Sequence, residues 1–275
     1  MMDIAAAANR AASFRALHRP GEPLLLPNPW DAGSARVLAS LGFAALATTS
    51  SGFAATLGRL DGGVSRDESL AHSALLVAAT DLPVSADLEN GFADEPAGVA
   101  ETVALAVQAG LAGCSIEDFT GRSDEPIYDE GLAAERIAAA AQAAHGGPVR
   151  LVLTARAENY LRGRPDLDDT IARLQRYQEA GADVLYAPGL TSPEDIEAVV
   201  TSVDLPVNVL ALPGGPDVAR LAELGVGRVS VGGAFAYVAI EALATAAREL
   251  LEAGTLGYWQ HAAAGRAVAA AAFRP

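Results

Sequence analysis

Acidic residues that follow short apolar runs are the feature of this 275-residue chain that most suggests chemistry. SADLENGF (85–92) places Asp87 and Glu89 one residue apart behind an apolar stretch. GCSIEDF (113–119) ends on Glu117 and Asp118, LTARAEN (153–159) on Arg156 and Glu158, and the loop GRLDGG (58–63) carries Asp61. If the backbone stays extended beyond Asp87, Asp87 and Glu89 point the same way. Carboxylates gathered in one place repel one another unless a cation lies between them. Oxygen donors with no cysteine or histidine nearby suit Mg2+ or Mn2+ better than zinc, and Mg2+ keeps several waters, so some acids would act through water. Arg156 would be the fixed positive charge whose planar fork grips a substrate carboxylate. Plainer readings stay open: Asp61 and Asp118 as helix caps or solvated acids, and Arg156 as a structural ion-pair partner.

These residues converge only if the chain brings several strand ends together. Short apolar runs alternate with amphipathic helical stretches throughout. The expected strands are 24–28, 44–50, 83–87, 113–117, 150–155, 183–188, 207–211 and 228–232. Near-continuous apolar strands separated by helices fit a (β/α)8 TIM barrel, in which functional groups collect at the C-terminal strand ends. A doubly wound open sheet is weaker, because no G-x-G-x-x-G follows any strand. One domain spanning 1–275 is expected. It has an extra N-terminal helix near 5–18 and closing helices over 234–273, within a helical extension of 234–275 that makes oligomer contacts.

Composition narrows the chemistry. All 19 basic residues are arginine, which excludes Schiff-base aldolases, pyridoxal phosphate enzymes and P-loop NTPases, each of which needs a lysine. A net charge of −15 without a basic cluster argues against nucleic acid or an anionic membrane as partner. No apolar run is long enough to cross a bilayer, and the N-terminus does not read as a secretory signal, so a cytoplasmic location is expected. The single cysteine, Cys114, is expected to be a buried thiol inside a strand. His18 and His145 are expected as helix C-terminal caps favoured as cations, and Asp31 as a helix N-cap.

LLLPNPWDAGSARVLASLGFAALATTSSGFA, DLPVSADLENGF, AGLAGCSIEDF, LTARAENYL and EAGADVLYAPGL, in this order, resemble the isocitrate lyase/phosphoenolpyruvate mutase superfamily from about residue 14 to 233. The resemblance implies a barrel whose last helix is exchanged between subunits of a homodimer or homotetramer. It also implies Mg2+ and a 2-oxo acid substrate that passes through a pyruvate-like enolate. By motif, Asp87 and Glu89 match the acidic metal-binding pair, Glu117 the glutamate of I-E-D, and Asp61 the acid of the preceding loop. Ser51 and Gly52 match the turn whose N–H groups hold the substrate carboxylate, Arg156 the arginine ending strand 5, and Asn208 a substrate-contacting polar residue. The implied metal ligands are therefore Asp87, Glu89 and Glu117, with Glu117, Asp61 and Arg156 catalytic.

The departures from that pattern lie in 117–131, EDFTGRSDEPIYDEG, which lacks the lysine, cysteine and histidine of the isocitrate lyase loop. It also lacks the lysine and asparagine of the phosphonopyruvate gating loop. What remains suits a Mg2+-dependent lyase cleaving a C–C bond in a 2-oxo or 2-hydroxy di- or tricarboxylic acid, of oxaloacetate decarboxylase or methylisocitrate lyase type. Residues 118–130 would be its lid, with Tyr128, Asp124 or Arg122 as an optional base or as solvated loop residues. The alternatives are P–C chemistry on a phosphonate, with Arg59 and Arg122 as its extra cations, and a degenerate barrel that only binds. The glycine turns 212–216 and 231–235 are weaker candidates for a phosphate site.

Overall fold

The structure, a computed structural model, describes residues 3–273; residues 1, 2, 274 and 275 of the expected domain lie outside the described residues. α1 (Ile4–Ala16) leads into β1 (Leu24–Leu26) and α2 (Ala32–Ser40), then β2 (Leu46–Ala47) followed by α3 (Ser50–Thr56) and α4 (Arg66–Ala79). Next come β3 (Val84–Asp87), α5 (Pro96–Gln108), β4 (Gly113–Glu117), α6 (Glu130–His145), β5 (Val152–Arg156) and α7 (Leu167–Glu179). β6 (Val184–Tyr186), α8 (Pro193–Thr201), β7 (Val207–Leu210), α9 (Val218–Glu223) and β8 (Arg228–Ser230) complete the ring. The chain ends with α10 (Ala234–Arg248), one π turn (Glu249–Ala253) and α11 (Trp259–Ala272).

All eight strands are parallel, in the order β1-β8-β7-β6-β5-β4-β3-β2. The Ala47 amide donates to the Pro27 carbonyl at 3.1 Å across the remaining seam, so the sheet is a nearly closed barrel of the TIM type. The period of two within these apolar strands explains the interior. In β3 to β5, Ala86, Ile116 and Ala155 pack outward under the helices, while Ser85, Asp87, Ser115 and Arg156 face the barrel cavity.

α1 closes the opposite end. Ala7, Ala11 and Phe14 pack against Leu24, Leu26, Ala112 and Val152. Gly113 makes room for this plug, because a Cβ there would lie 2.6 Å from Phe14 Cε1. Asp31 caps α2, accepting the Ser34 amide at 2.7 Å. The expected strand 44–50 is cut short because the Thr49 hydroxyl accepts the Gly52 amide at 3.3 Å and starts α3 there.

Two histidines depart from expectation. His145 ends α6 but turns its Nε2 to Asp183 Oδ2 at 2.8 Å. His18 is no cationic cap. Its Nδ1 lies 2.8 Å from the Phe14 carbonyl and its Nε2 3.2 Å from Arg228 Nη1. Burial, reinforced by the Arg228 charge, lowers its pKa to about 3, so the ring is neutral and Nε2 accepts.

Between about pH 6.5 and 3 the unfolded chain binds a proton at His18 that the folded chain refuses. Stability is therefore full above that window and falls as the pH drops through it. Urea titrations of wild type and His18→Gln should show wild type losing about 3 kcal/mol relative to the variant between pH 7 and pH 4. An unchanged difference would mean that His18 is not held neutral.

Candidate active site

Arg156, at the end of β5, organises the C-terminal mouth. Its Nη1 lies 3.1 Å from Asp87 Oδ1 and 3.0 Å from Glu117 Oε2, and its Nη2 lies 2.8 Å from Glu158 Oε1. Strand register explains the meeting: Glu117 pairs with Arg156, and Asp87 pairs with Ser115, two residues earlier on the same inward-facing side of β4, so the Arg156 side chain reaches both acids. Burial alone would weaken the guanidinium's hold on its proton, but Glu117, Glu158 and Asp87 more than offset it. Burial pushes the Glu117 carboxyl above the carboxylate range, against the pull of Arg156. Arg162 joins from the next loop, 3.1 Å from Glu158 Oε2 and 3.7 Å from Glu117 Oε1, with its guanidinium over the Phe119 ring.

Glu89 is different. Extended backbone does not continue past Asp87: the Glu89 amide donates to Asp87 Oδ1 at 3.3 Å and Glu89 adopts φ 49°, in the left-handed region that a glutamate seldom occupies. The turn aims Glu89 at an outer cavity rather than alongside Asp87. No arginine pairs with it among the described residues. Burial first, then repulsion from Asp87 and Asp61, raises its pKa to about 7.

Two cavities meet at Arg156. The inner one, about 180 Å3, runs into the barrel past Ser51, Asp87, Tyr186, Asn208 and Arg228. The outer one, about 520 Å3, lies between Asp61, Glu89, Glu117, Arg162 and the lid residue Phe119. Ser50, Asp61 and Arg156 line both.

Of the expected carboxylate-holding turn, Ser51 lines the inner cavity, whereas Gly52 does not. The Gly52 amide is taken by Thr49 Oγ1, and a Cβ on Gly52 would sit 2.5 Å from Thr49 Cγ2. The Ser50 amide donates to Asp87 Oδ2 at 3.2 Å, which leaves the Ser51 amide without a protein acceptor among the described residues. Asn208 faces the inner cavity but spends its amide on Ser230 Oγ (3.0 Å) and Arg228 Nε (2.9 Å). In the 231–235 turn, the Val231 and Gly232 amides both donate to Asn28 Oδ1, so they are not free for a phosphate. Cys114 is buried in β4.

Asp118 points away from the mouth. It accepts from the Tyr177 hydroxyl (2.7 Å), Arg173 (3.1 Å) and the Glu158 amide (2.8 Å), tying the loop after β4 to α7. Residues 118–130 form a short hairpin closed by the Phe119–Ile127 bridge. Tyr128 is buried, not solvated: its hydroxyl donates to Asp94 and accepts from Asn90 Nδ2 at 3.2 Å. Arg122 pairs with Asp94 and Glu125, and Arg59 with Glu68, so neither offers a cation to either cavity. The residues the motifs missed are Arg162, Tyr186 and Arg228. Tyr186 ends β6 and obeys the strand-end rule, whereas Arg162 looks like any exposed helix-pair arginine and Arg228 begins its strand.

The donor set tests whether a divalent cation belongs here. Asp61, Asp87 and Glu89 offer only oxygen, and no histidine or cysteine lines either cavity. No group of three acid, histidine or cysteine side chains is poised around one point among the described residues, because Glu117 is turned to the two arginines. Mg2+ needs only one or two carboxylates beside its waters. Asp87 and the unpaired Glu89, with Asp61 beside them, fit such a water-rich ion, and a cation would relieve the repulsion from Asp87 and Asp61 that adds to burial in raising Glu89.

Fold and mouth together define an acid-ringed (β/α)8 barrel enzyme scaffold. Residues 14–251 match the phosphoenolpyruvate phosphomutase family model, and the chain belongs to that family of lyases and mutases. A candidate lyase/mutase from Burkholderia cenocepacia J2315 superposes with a TM-score of 0.94 at 55% identity, over 98% of both chains. An uncharacterized Mycobacterium tuberculosis protein is 39% identical over 86% of this chain and 88% of its own. An oxaloacetate decarboxylase of Pseudomonas aeruginosa is 32% identical over 83% of this chain and 80% of its own.

Removing one partner from a buried ion-pair cluster costs about 3–5 kcal/mol. Arg156→Met should therefore lose stability of that order at pH 8 in denaturant titrations. Part of the loss should be recovered at pH 5, where the freed carboxyls can protonate. Wild-type stability at pH 8 would show that the three acids do not depend on Arg156.

Proposed function

We propose that this chain is a Mg2+-dependent lyase acting on a 2-oxo di- or tricarboxylic acid, in which it cleaves the C–C bond on the far side of the carbon next to the oxo group, as in oxaloacetate decarboxylation. The observation that carries this reading is the division of labour at the mouth. Glu89, which no arginine pairs with among the described residues, leaves an uncompensated acid beside Asp87, while Arg156, already neutralised by Asp87, Glu117 and Glu158, forms a rigid wall beside the open Ser51 amide. When bound, Mg2+ held by Asp87 and Glu89, with Asp61 through water, would supply Lewis-acid stabilisation of negative charge on the 2-oxo oxygen.

This chain's residues do the rest. The Ser51 N–H binds the substrate carboxylate, and the Arg156 fork, held against the Tyr186 ring at 5.1 Å, orients it so that the scissile bond stands out of the enolate plane. Phe119 and Arg162, on the hairpin and the loop opposite, close the outer cavity to water. Glu89, its pKa raised to about 7, is about half-protonated at neutral pH and would lose that proton as the acidic face is neutralised.

Phosphonate chemistry remains the rival that the family's name raises. A phosphonate carries more charge than a carboxylate, yet among the described residues the guanidiniums at the rim, Arg156 and Arg162, are already paired with Asp87, Glu117 and Glu158, and Arg228 lies deeper in the inner cavity. We also infer a homodimer or homotetramer, supported by the apolar residues that α10, the π turn and α11 leave exposed, among them Val238, Leu243 and Leu251. Among the described residues, no helix is long and apolar enough to cross a membrane.

Oxalate mimics a pyruvate enolate. With Mg2+ and oxalate about 100-fold above Kd, the gain is about 2.7 kcal/mol, a Tm rise of roughly 5–10 °C for a chain of this size. Asp87→Ala should abolish that rise and lower kcat/KM for oxaloacetate at least a hundredfold. No rise in wild type, or turnover of phosphonopyruvate but not oxaloacetate, would reject the reading.

A further inference from the structure

Arg228, the first residue of β8, is the counterpart of Arg156 with the charge arrangement reversed. It is 4% exposed and faces the inner cavity. Its Nε donates to Asn208 Oδ1 at 2.9 Å, and its Nη1 donates to Thr154 Oγ1 at 3.1 Å and His18 Nε2 at 3.2 Å. All three acceptors are neutral, His18 included. Nη2 has no protein acceptor among the described residues. It is nonetheless not sealed off, since the one fully buried side-chain atom without a partner among those residues is Asn159 Oδ1. We propose that Arg228 anchors a carboxylate-binding subsite at the floor of the barrel cavity, which takes the second carboxylate of the substrate. The assignment of that carboxylate to the substrate rests on the 2-oxo dicarboxylic acid reading above.

A buried cation without a counter-ion is strongly unfavourable, and proteins normally supply a partner. Arg136 shows the usual solution: it too lacks an ion pair, but it donates to the carbonyls of Asn90, Ala93 and Asp94. Arg228 instead turns an unused edge toward a cavity. The acids that line this cavity, Asp61 and Asp87, lie at its rim, whereas Ser85 and Ser115, two residues before the ends of β3 and β4, supply hydroxyls deeper down. The cavity is thus graded from a metal-seeking acidic rim to a cationic, hydroxyl-lined floor. Burial first, with the Arg156 charge, lowers the Arg228 pKa to about 10, so it stays charged at neutral pH. The volume of about 180 Å3 accommodates more than a lone carboxylate, since about 10–15 Å3 suffices for one water. A four-carbon dicarboxylate can present one end to Ser51 and the rim and the other to Nη2; a two-carbon diacid such as oxalate stays at the rim.

Calorimetry with Mg2+ present, using malate as an unreactive four-carbon probe and oxalate as the short one, separates the ends. Arg228→Met, checked for folding by circular dichroism, should weaken malate binding at least thirtyfold and oxalate binding less than threefold. Unchanged malate affinity, or an equal loss for both ligands, would overturn the subsite. Failure of wild type to bind oxalate with Mg2+ would count against the lyase reading instead. Wild-type crystals soaked in bromide test the anion site without that reading and without a variant. An anomalous peak within contact distance of Arg228 Nη2 is expected, and an inner cavity without one would overturn the proposal.

Discussion

The pairing of one guanidinium with three carboxylates at the barrel mouth is the constraint on which the rest of this structure depends. Asp87, Glu117 and Glu158 arrive from β3, β4 and the loop after β5, and Arg156 touches all three. Without that charge the acids could not share a buried rim, and without the acids the guanidinium could not sit 12% exposed over the Tyr186 ring. Because each partner belongs to a different strand or loop, the cluster also ties three βα units to a common register.

Once Arg156 has neutralised its neighbours, the remaining chemistry falls to groups it does not reach. Glu89, twisted into left-handed backbone, keeps an acid outside the cluster and on the outer cavity. Farther in, Arg228 keeps a cation outside any cluster on the inner one. The acids gather where the two cavities meet at Arg156 and the unpaired cation lies farther in, so a ligand with a metal-seeking head and an anionic tail meets both demands in a single orientation.

The hairpin over 118–130 is held at its base rather than its tip. Asp118 is locked by Tyr177, Arg173 and the Glu158 amide, and Tyr128 by Asp94, Asn90 and the Arg136 guanidinium 4.0 Å over its ring. Residues 121–125 project into solvent between these two anchors. This loop carries no lysine, cysteine or histidine. Asp118, Tyr128 and Arg122 are spent on anchoring the hairpin.

The apolar strands separated by helical stretches were enough to read the barrel, because a parallel sheet covered on both faces must be apolar at nearly every position. The acids were legible too, since an aspartate or glutamate closing such a strand breaks the pattern: Asp87 and Glu117 stand where expected. Local sequence could not show which acids face one another. Glu89 was expected to lie alongside Asp87, but an amide-to-carboxylate turn rotates it away. Arg156 was expected to grip a substrate carboxylate or to serve as an ion-pair partner, and the structure pairs it with three acids. For the same reason His18 and Arg228 were invisible as core or site residues, and Tyr128, expected as a base or a solvated residue, is a buried anchor. Each acquires its character from groups distant in the chain, 210 residues away for the His18–Arg228 contact. Residue order determined the elements and the supply of charges. Only the closed barrel decided which charges cancel and which stay available, because Coulomb energy and desolvation depend on separation and burial in space, and neither is a property of the sequence alone.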